Sequence, residues 1–169
     1  TVYSGSRINN GLLADNYFLN AEMALSKMIT ALLSGQYYDA ESGLPGRASA
    51  QNDQATRIDK RRIFGVQFTT TFNQRVLLNT SLSGSRLKQH FINRENGLSG
   101  FETKYINDLY RVSSTLQFRP FSYSQWQSGI EAQGDEINGE DIMRPAYGFG
   151  KAHRTAVAWF VSARHAFPL

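Results

Sequence analysis

Between Arg62 and Phe72, the residues Phe64, Val66, Phe68, Thr70 and Phe72 alternate with Gly65, Gln67, Thr69 and Thr71. A period of two sorts side chains onto two faces only if the backbone is extended, so the segment reads as a strand. The pattern recurs along the chain. Tyr17 to Ser26 sets Leu19, Ala21, Met23 and Leu25 against Asn20, Glu22, Ala24 and Ser26. Ile29 to Tyr38 sets Ile29, Ala31, Leu33, Gly35 and Tyr37 against Thr30, Ser34 and Gln36, with Leu32 as an exception. Val76 to about Lys88, about Thr103 to Phe118, Tyr123 to about Gly134, and Arg154 to Arg164 complete seven strands. The last is apolar on both sides, which leaves its facing open. Val2 to Arg7 reads as the stub of a further strand.

The connections alternate in length. Lys27-Met28, Asn73-Gln74-Arg75 and Arg119-Pro120-Phe121-Ser122 are tight. Asp39 to Asp59, the stretch around Asn93 to Gly100, and Asp135 to about His153 read as long polar loops. Short turns at one end and long loops at the other are the asymmetry of outer-membrane barrels. Aromatic residues gather at the strand ends: Phe72, Phe118, Phe121, Tyr123 and Phe167 by the short turns, and Tyr17, Phe18, Tyr37, Tyr38, Phe64, Phe101 and Tyr105 toward the others. That placement predicts two interfacial girdles.

Composition agrees with a wet, weakly charged face. Charged residues are 19% of the 169, below the roughly 25% usual in soluble domains. Ser, Thr, Asn and Gln supply the remaining polarity. No stretch approaches the ~20 apolar residues that a membrane-crossing helix needs, so a closed sheet is the form in which such a chain would enter a bilayer. A soluble all-β binding protein, a sandwich or lipocalin-like barrel, has equally alternating strands and remains open at this point. The net charge of +4 raises nucleic acid as a partner, yet the basic residues are dispersed and their only run, Lys60-Arg61-Arg62, reads as a solvated strand end. Cysteine is absent, which removes disulfides and thiolate metal sites.

Several segments resemble TonB-dependent receptors. Leu32-Leu33-Ser34-Gly35-Gln36-Tyr37-Tyr38-Asp39-Ala40-Glu41-Ser42-Gly43-Leu44-Pro45-Gly46 is similar to the family's strand-then-loop, and Arg61-Arg62 opening the next strand fits it. Tyr110-Arg111-Val112-Ser113-Ser114-Thr115-Leu116 with Trp126-Gln127-Ser128-Gly129-Ile130-Glu131 resembles its paired barrel strands, and His153 to Phe160 the strand after them. The resemblance implies an all-β antiparallel transmembrane barrel of about 22 strands, of which this chain would supply about seven or eight. Residues 1–169 would then be part of the barrel domain, since the energy-coupling box and plug have no counterpart here. It implies location in the bacterial outer membrane and uptake of a scarce nutrient, such as a siderophore-iron complex or cobalamin. The implied partners are outer-membrane lipid and lipopolysaccharide, the small nutrient, and TonB acting through a plug, with no nucleic acid and no cofactor. A complete eight-stranded outer-membrane barrel of structural or adhesive role fits the length as well.

No catalytic constellation stands out, and the chain reads as a non-enzyme. His90, His153 and His165 lack metal-ligand spacing, and Glu131 and Glu136 differ in strand parity. Among the expected loop residues, Tyr38, Arg47, Arg57, Arg94 and Tyr147 are the candidates for substrate binding, the arginines by charge-assisted hydrogen bonds to an anion. Asp39, Glu41 and Asp53 share one expected loop and are candidate oxygen ligands for a divalent cation.

Overall fold

The computed structural model describes residues 11–44, 55–93, 100–148 and 150–166. They form one antiparallel sheet in which every strand pairs with its neighbours in sequence. The strands are β1 (Leu12–Ala24), β2 (Ile29–Gly43), β3 (Thr56–Asn73), β4 (Val76–Asn93), β5 (Phe101–Phe121), β6 (Ser124–Asp141) and β7 (Gly150–His165). A 3-10 turn, Pro145–Tyr147, precedes β7. Among the described residues the sheet is not closed: β1 and β7 are its two edges.

The strands begin near the expected turns but run further at the other end. Gln74-Arg75 and Ser122-Tyr123 are the two-residue connections, while Leu25 to Met28 joins β1 to β2. Side chains fix two of these turns. Asn73 Oδ1 accepts hydrogen bonds from the Arg75 and Val76 amides at 2.8 and 3.0 Å. Ser26 Oγ accepts from the Met28 and Ile29 amides at 3.1 Å. Such local acceptors replace the ladder where the chain reverses.

Six sequence expectations are corrected here. Asp39 to Gly43 and Thr56 to Asp59 are strand, not loop; Asp135 to Asp141 continues β6; and β7 starts at Gly150. Phe121 still belongs to β5, with a register shift between Phe118 and Phe121. The Lys60-Arg61-Arg62 run lies inside β3 and not at its end. In the extensions of β2, β3 and β6 the cause is the same: polar residues remain in the ladder because the opposite strand supplies their partners. Lys60 Nζ lies 2.9 Å from Asp39, Gln89 Nε2 donates to Asp59 at 3.0 Å, and Arg154 Nη2 lies 2.6 Å from Asp135.

The register extends each row of residues across the sheet. Leu33, Val66, Leu82, Val112, Ala132 and Val157 are successive cross-strand partners, and so are Ser81, Ser113, Glu131 and Ala158 one row on. The facing of β7 is thereby settled: Val157, Trp159 and Val161 share the face of Ala132 and Ile130. Five consecutive same-face rows, from Leu19–Phe64–Tyr110 to Val76–Phe118–Trp126, carry no charged side chain.

The burial of the two faces inverts that of a water-soluble sheet. The apolar face is the open one, with Val112 48%, Ile130 54% and Trp159 79% exposed. Ser113, Thr115, Gln127 and Glu131 on the polar face are half-buried. Buried apolar residues among those described are Ala31, Ala40 and Ala55. The polar face is the concave one, because side chains from β3 to β7 converge on a single hollow there.

Candidate functional site

That hollow has a volume of about 670 Å3. Ile63, Leu87, Leu109 and Ile137 give it an apolar floor, and Arg61, Ser85, Asn107, Gln133, Asp135 and Arg154 supply polar groups. Two successive same-face rows build most of it. One runs Tyr38, Arg61, Leu87, Asn107 and Ile137; the other runs Gln36, Ile63, Ser85, Leu109, Asp135 and Arg154. Arg61 and Ile63 are two residues apart along β3, so both rows project to the polar face. Arg154 holds Asp135 through Nε at 2.9 Å and Nη2 at 2.6 Å, both on one carboxylate oxygen. Arg111 reaches Glu131 at 3.2 Å and donates to Gln133 at 2.9 Å. The wall thus presents fixed dipoles and paired charges over a greasy floor, a surface suited to recognising a polar small molecule.

Of the residues singled out from sequence, Tyr38 and Arg57 lie in strands and not in loops. Tyr38 is half-buried on β2 opposite Arg61, in a row that contributes to the hollow. Arg57, on β3, is bound to Asp59 at 2.7 Å and lies 5.5 Å over the Phe91 ring. Its Nε is buried without a hydrogen-bond partner. Tyr147 ends the 3-10 turn. Arg47, Arg94 and Asp53 lie outside the described residues. Asp39 and Glu41 are on β2, and Asp39 is engaged by Lys60 and by the Tyr37 hydroxyl at 3.0 Å. The hydrogen bond from Lys60 holds the Asp39 carboxyl below the usual carboxylate range, against desolvation. Among the described residues no three His, Asp or Glu side chains converge to hold a metal ion.

Two pairings escaped the sequence reading. His90 Nε2 lies 2.8 Å from Glu102 Oε1. Arg86 binds Asp108 by two parallel bonds of 2.6 and 2.7 Å. Counting outward from the Gln74-Arg75 turn places Arg62 opposite Leu87, and only the register shift between Thr71 and Asn73 brings it opposite Arg86. Among the described residues no serine or threonine hydroxyl is hydrogen-bonded to the His90–Glu102 couple.

In comparisons with known proteins, no family model matches this chain, and no curated protein matches it either.

Proposed function

We propose that this chain is part of the wall of an outer-membrane β-barrel, with its apolar face toward lipid and its polar face toward an aqueous lumen. The supporting observation is the run of five uncharged rows on the open face. It is bounded by aromatic side chains: Tyr17 and Tyr37 in the row above it, and Phe118 and Trp126 in its last row. Eight residues of β5 separate Tyr110, in the first of these rows, from Phe118, in the last. At about 3.3 Å per residue that is ~26 Å along the strand, and a strand tilt of ~40° reduces it to ~20 Å, most of the ~25 Å apolar band of such barrels. Thr80 and Ser114, two polar residues within the band, hydrogen-bond each other at 3.3 Å, which removes the cost of unpaired hydroxyls in hydrocarbon.

On this reading the hollow lined by Arg61, Asn107, Asp135 and Arg154 faces the lumen at the level of the bilayer's outer edge. It serves there as one side of a binding chamber for a scarce nutrient imported in a TonB-dependent manner. The small inward side chains Ser81, Ser83, Ser85 and Ser113 favour a wide barrel, since a narrow one fills its interior with larger groups. A complete eight-stranded barrel is the competing outcome.

Membrane insertion is tested by refolding the chain into phosphatidylcholine vesicles and comparing heated with unheated samples on a denaturing gel. A heat-dependent shift in mobility with protease-protected strands is expected; a chain that stays monomeric and folded in plain buffer overturns the reading. Transport is tested separately. Deleting the coding segment in its native cell should abolish TonB-dependent uptake of one iron or cobalt chelate, and unchanged uptake of all of them excludes that role.

A further inference from the structure

Charge is segregated along the strands. Lys27, Arg75 and Arg119 stand in or beside the three short connections and Arg164 near the end of β7, while residues 24–30, 71–77, 117–127 and 162–166 include no Asp or Glu. The net charge of the whole chain is also +4, so everywhere else Lys and Arg are matched by Asp and Glu. Arg86 with Asp108, Arg111 with Glu131 and Arg154 with Asp135 are such matches. Arg75, Arg119 and Arg164 have no ion-pair partner among the described residues. Along the strands, the first carboxylates met on the polar face are Glu22 and Glu131, in the row of Ser81 and Ser113. Glu131 lies ~13 Å from the Gln117–Gln127 pair at about 3.3 Å per residue, and Arg111 already engages it.

The three arginines line one groove on the polar face. The Arg119 amide donates to the Arg75 carbonyl at 2.8 Å, which holds these two cations on adjacent strand ends, and like charges so placed destabilise a sheet. Arg164 is the cross-strand partner of Gln125. A hollow of about 410 Å3 holds Arg119, Ser122, Gln125 and Arg164, and one of about 150 Å3 holds Thr71, Arg75, Gln117 and again Arg119, where the two meet. Phe118 and Trp126, which are partners, occupy the opposite face, so bilayer lipid lies on the far side of the sheet from this groove. From Arg75 to Arg164 it crosses three strand spacings, ~14 Å at about 4.8 Å each. One small anion does not bridge that span, whereas same-face side chains of an extended peptide recur every ~7 Å. We infer that this rim is a docking surface for an acidic, extended segment of a separate periplasmic protein, whose carboxylates accept paired hydrogen bonds from Arg119 and Arg164, with Arg75 supporting them. The groove opens at the Gln74-Arg75 and Ser122-Tyr123 turns, where such a partner reaches it without entering the lumen. The inference rests on the membrane reading above, which puts the short turns on the periplasmic side.

The test uses the whole chain refolded in dodecyl maltoside micelles and titrated with a fluorescein-labelled peptide that alternates glutamate with serine, or with its glutamine counterpart, followed by fluorescence anisotropy. The glutamate peptide should bind at least about tenfold more tightly. Arg119→Gln/Arg164→Gln should weaken it by about thirtyfold, as expected for the loss of two charge-assisted contacts at a solvated rim. Arg119→Lys/Arg164→Lys should keep part of the affinity, because the charge remains without the planar fork. Lys88→Gln/Lys104→Gln, which removes the same charge at the opposite end of the strands, should leave it unchanged. Equal binding of the glutamine peptide, an equal loss in the Lys88/Lys104 control, or inorganic phosphate or phosphatidylglycerol binding as tightly as the glutamate peptide would each overturn the assignment. If the glutamine variant of the protein folds poorly, the comparison of the two peptides on the unmodified chain decides. Quenching of Trp159 fluorescence by brominated acyl chains separates this site from the membrane reading: with quenching but no preference for the glutamate peptide only the site fails, and without quenching the membrane reading fails as well.

Discussion

The hydroxyls of Ser81 and Ser113 lie 2.7 Å apart across β4 and β5, on the face opposite Leu82 and Val112, which are partners one row away. One residue along either strand therefore separates a hydroxyl pair from an aliphatic pair, and substitutions at adjacent positions should have unequal consequences. Val112 lies near the middle of the uncharged band. Val112→Arg should lower the stability of the refolded chain in vesicles by about 2–4 kcal/mol, while Ser113→Arg should cost far less. Equal losses in urea titrations would show that the two faces meet the same solvent.

Trp126 and Trp159 should report different depths. Trp126 is in the last row of the band, whereas Trp159 pairs with Ile130 nearer its centre. In the Trp126→Phe variant, the emission of Trp159 should be quenched best by lipids brominated deep in the acyl chain. In Trp159→Phe, lipids brominated near the headgroup should be the better quenchers. Identical profiles would contradict the placement of the rows.

The Arg86–Asp108 pair should be asymmetric under mutation. Asp108 is only 8% exposed, while the Arg86 side chain is 47% exposed. Arg86→Ala leaves a nearly buried carboxylate without its bidentate partner, with an expected loss of about 1–3 kcal/mol. Asp108→Asn leaves a solvated guanidinium and should cost below about 1 kcal/mol. Unfolding midpoints of the two variants in the same micelle provide the comparison, and the opposite ranking would refute the burial argument.

At the Gln74-Arg75 turn, one side chain holds two amides. Asn73→Ala frees both, and a loss of about 1 kcal/mol is expected. Asn73→Asp, which keeps the acceptor oxygen, should recover most of it. A neutral alanine variant in equilibrium unfolding would mean that the turn is set by the strands alone.

Much of this architecture could be read from sequence because the period-two pattern at Phe64 to Phe72 and Tyr110 to Phe118 has few interpretations, and because short turns fix where strands start. The outward halves of the strands could not. Asp39, Asp59 and Asp135 look like loop residues singly, and become strand residues only when Lys60, Gln89 and Arg154 stand opposite. The hollow was missed for the same reason: Arg61, Asn107 and Arg154 come from three distant stretches that only the register brings together. The candidate Arg57 was singled out as a loop side chain, and its position in a strand came from the structure, whereas Tyr38 already closed the expected strand Ile29 to Tyr38.

Among the described residues, Leu12–Ala24 and Gly150–His165 each leave one row of main-chain amides and carbonyls without a neighbouring strand. Hydrocarbon offers such groups nothing, so whatever adjoins these margins in a bilayer has to be another strand that completes the ladder. Each new strand must then seat its own greasy stretch level with Val157 on one side and Ala21 on the other. This segment would thereby act as a template, dictating to the rest of the cylinder how high it sits.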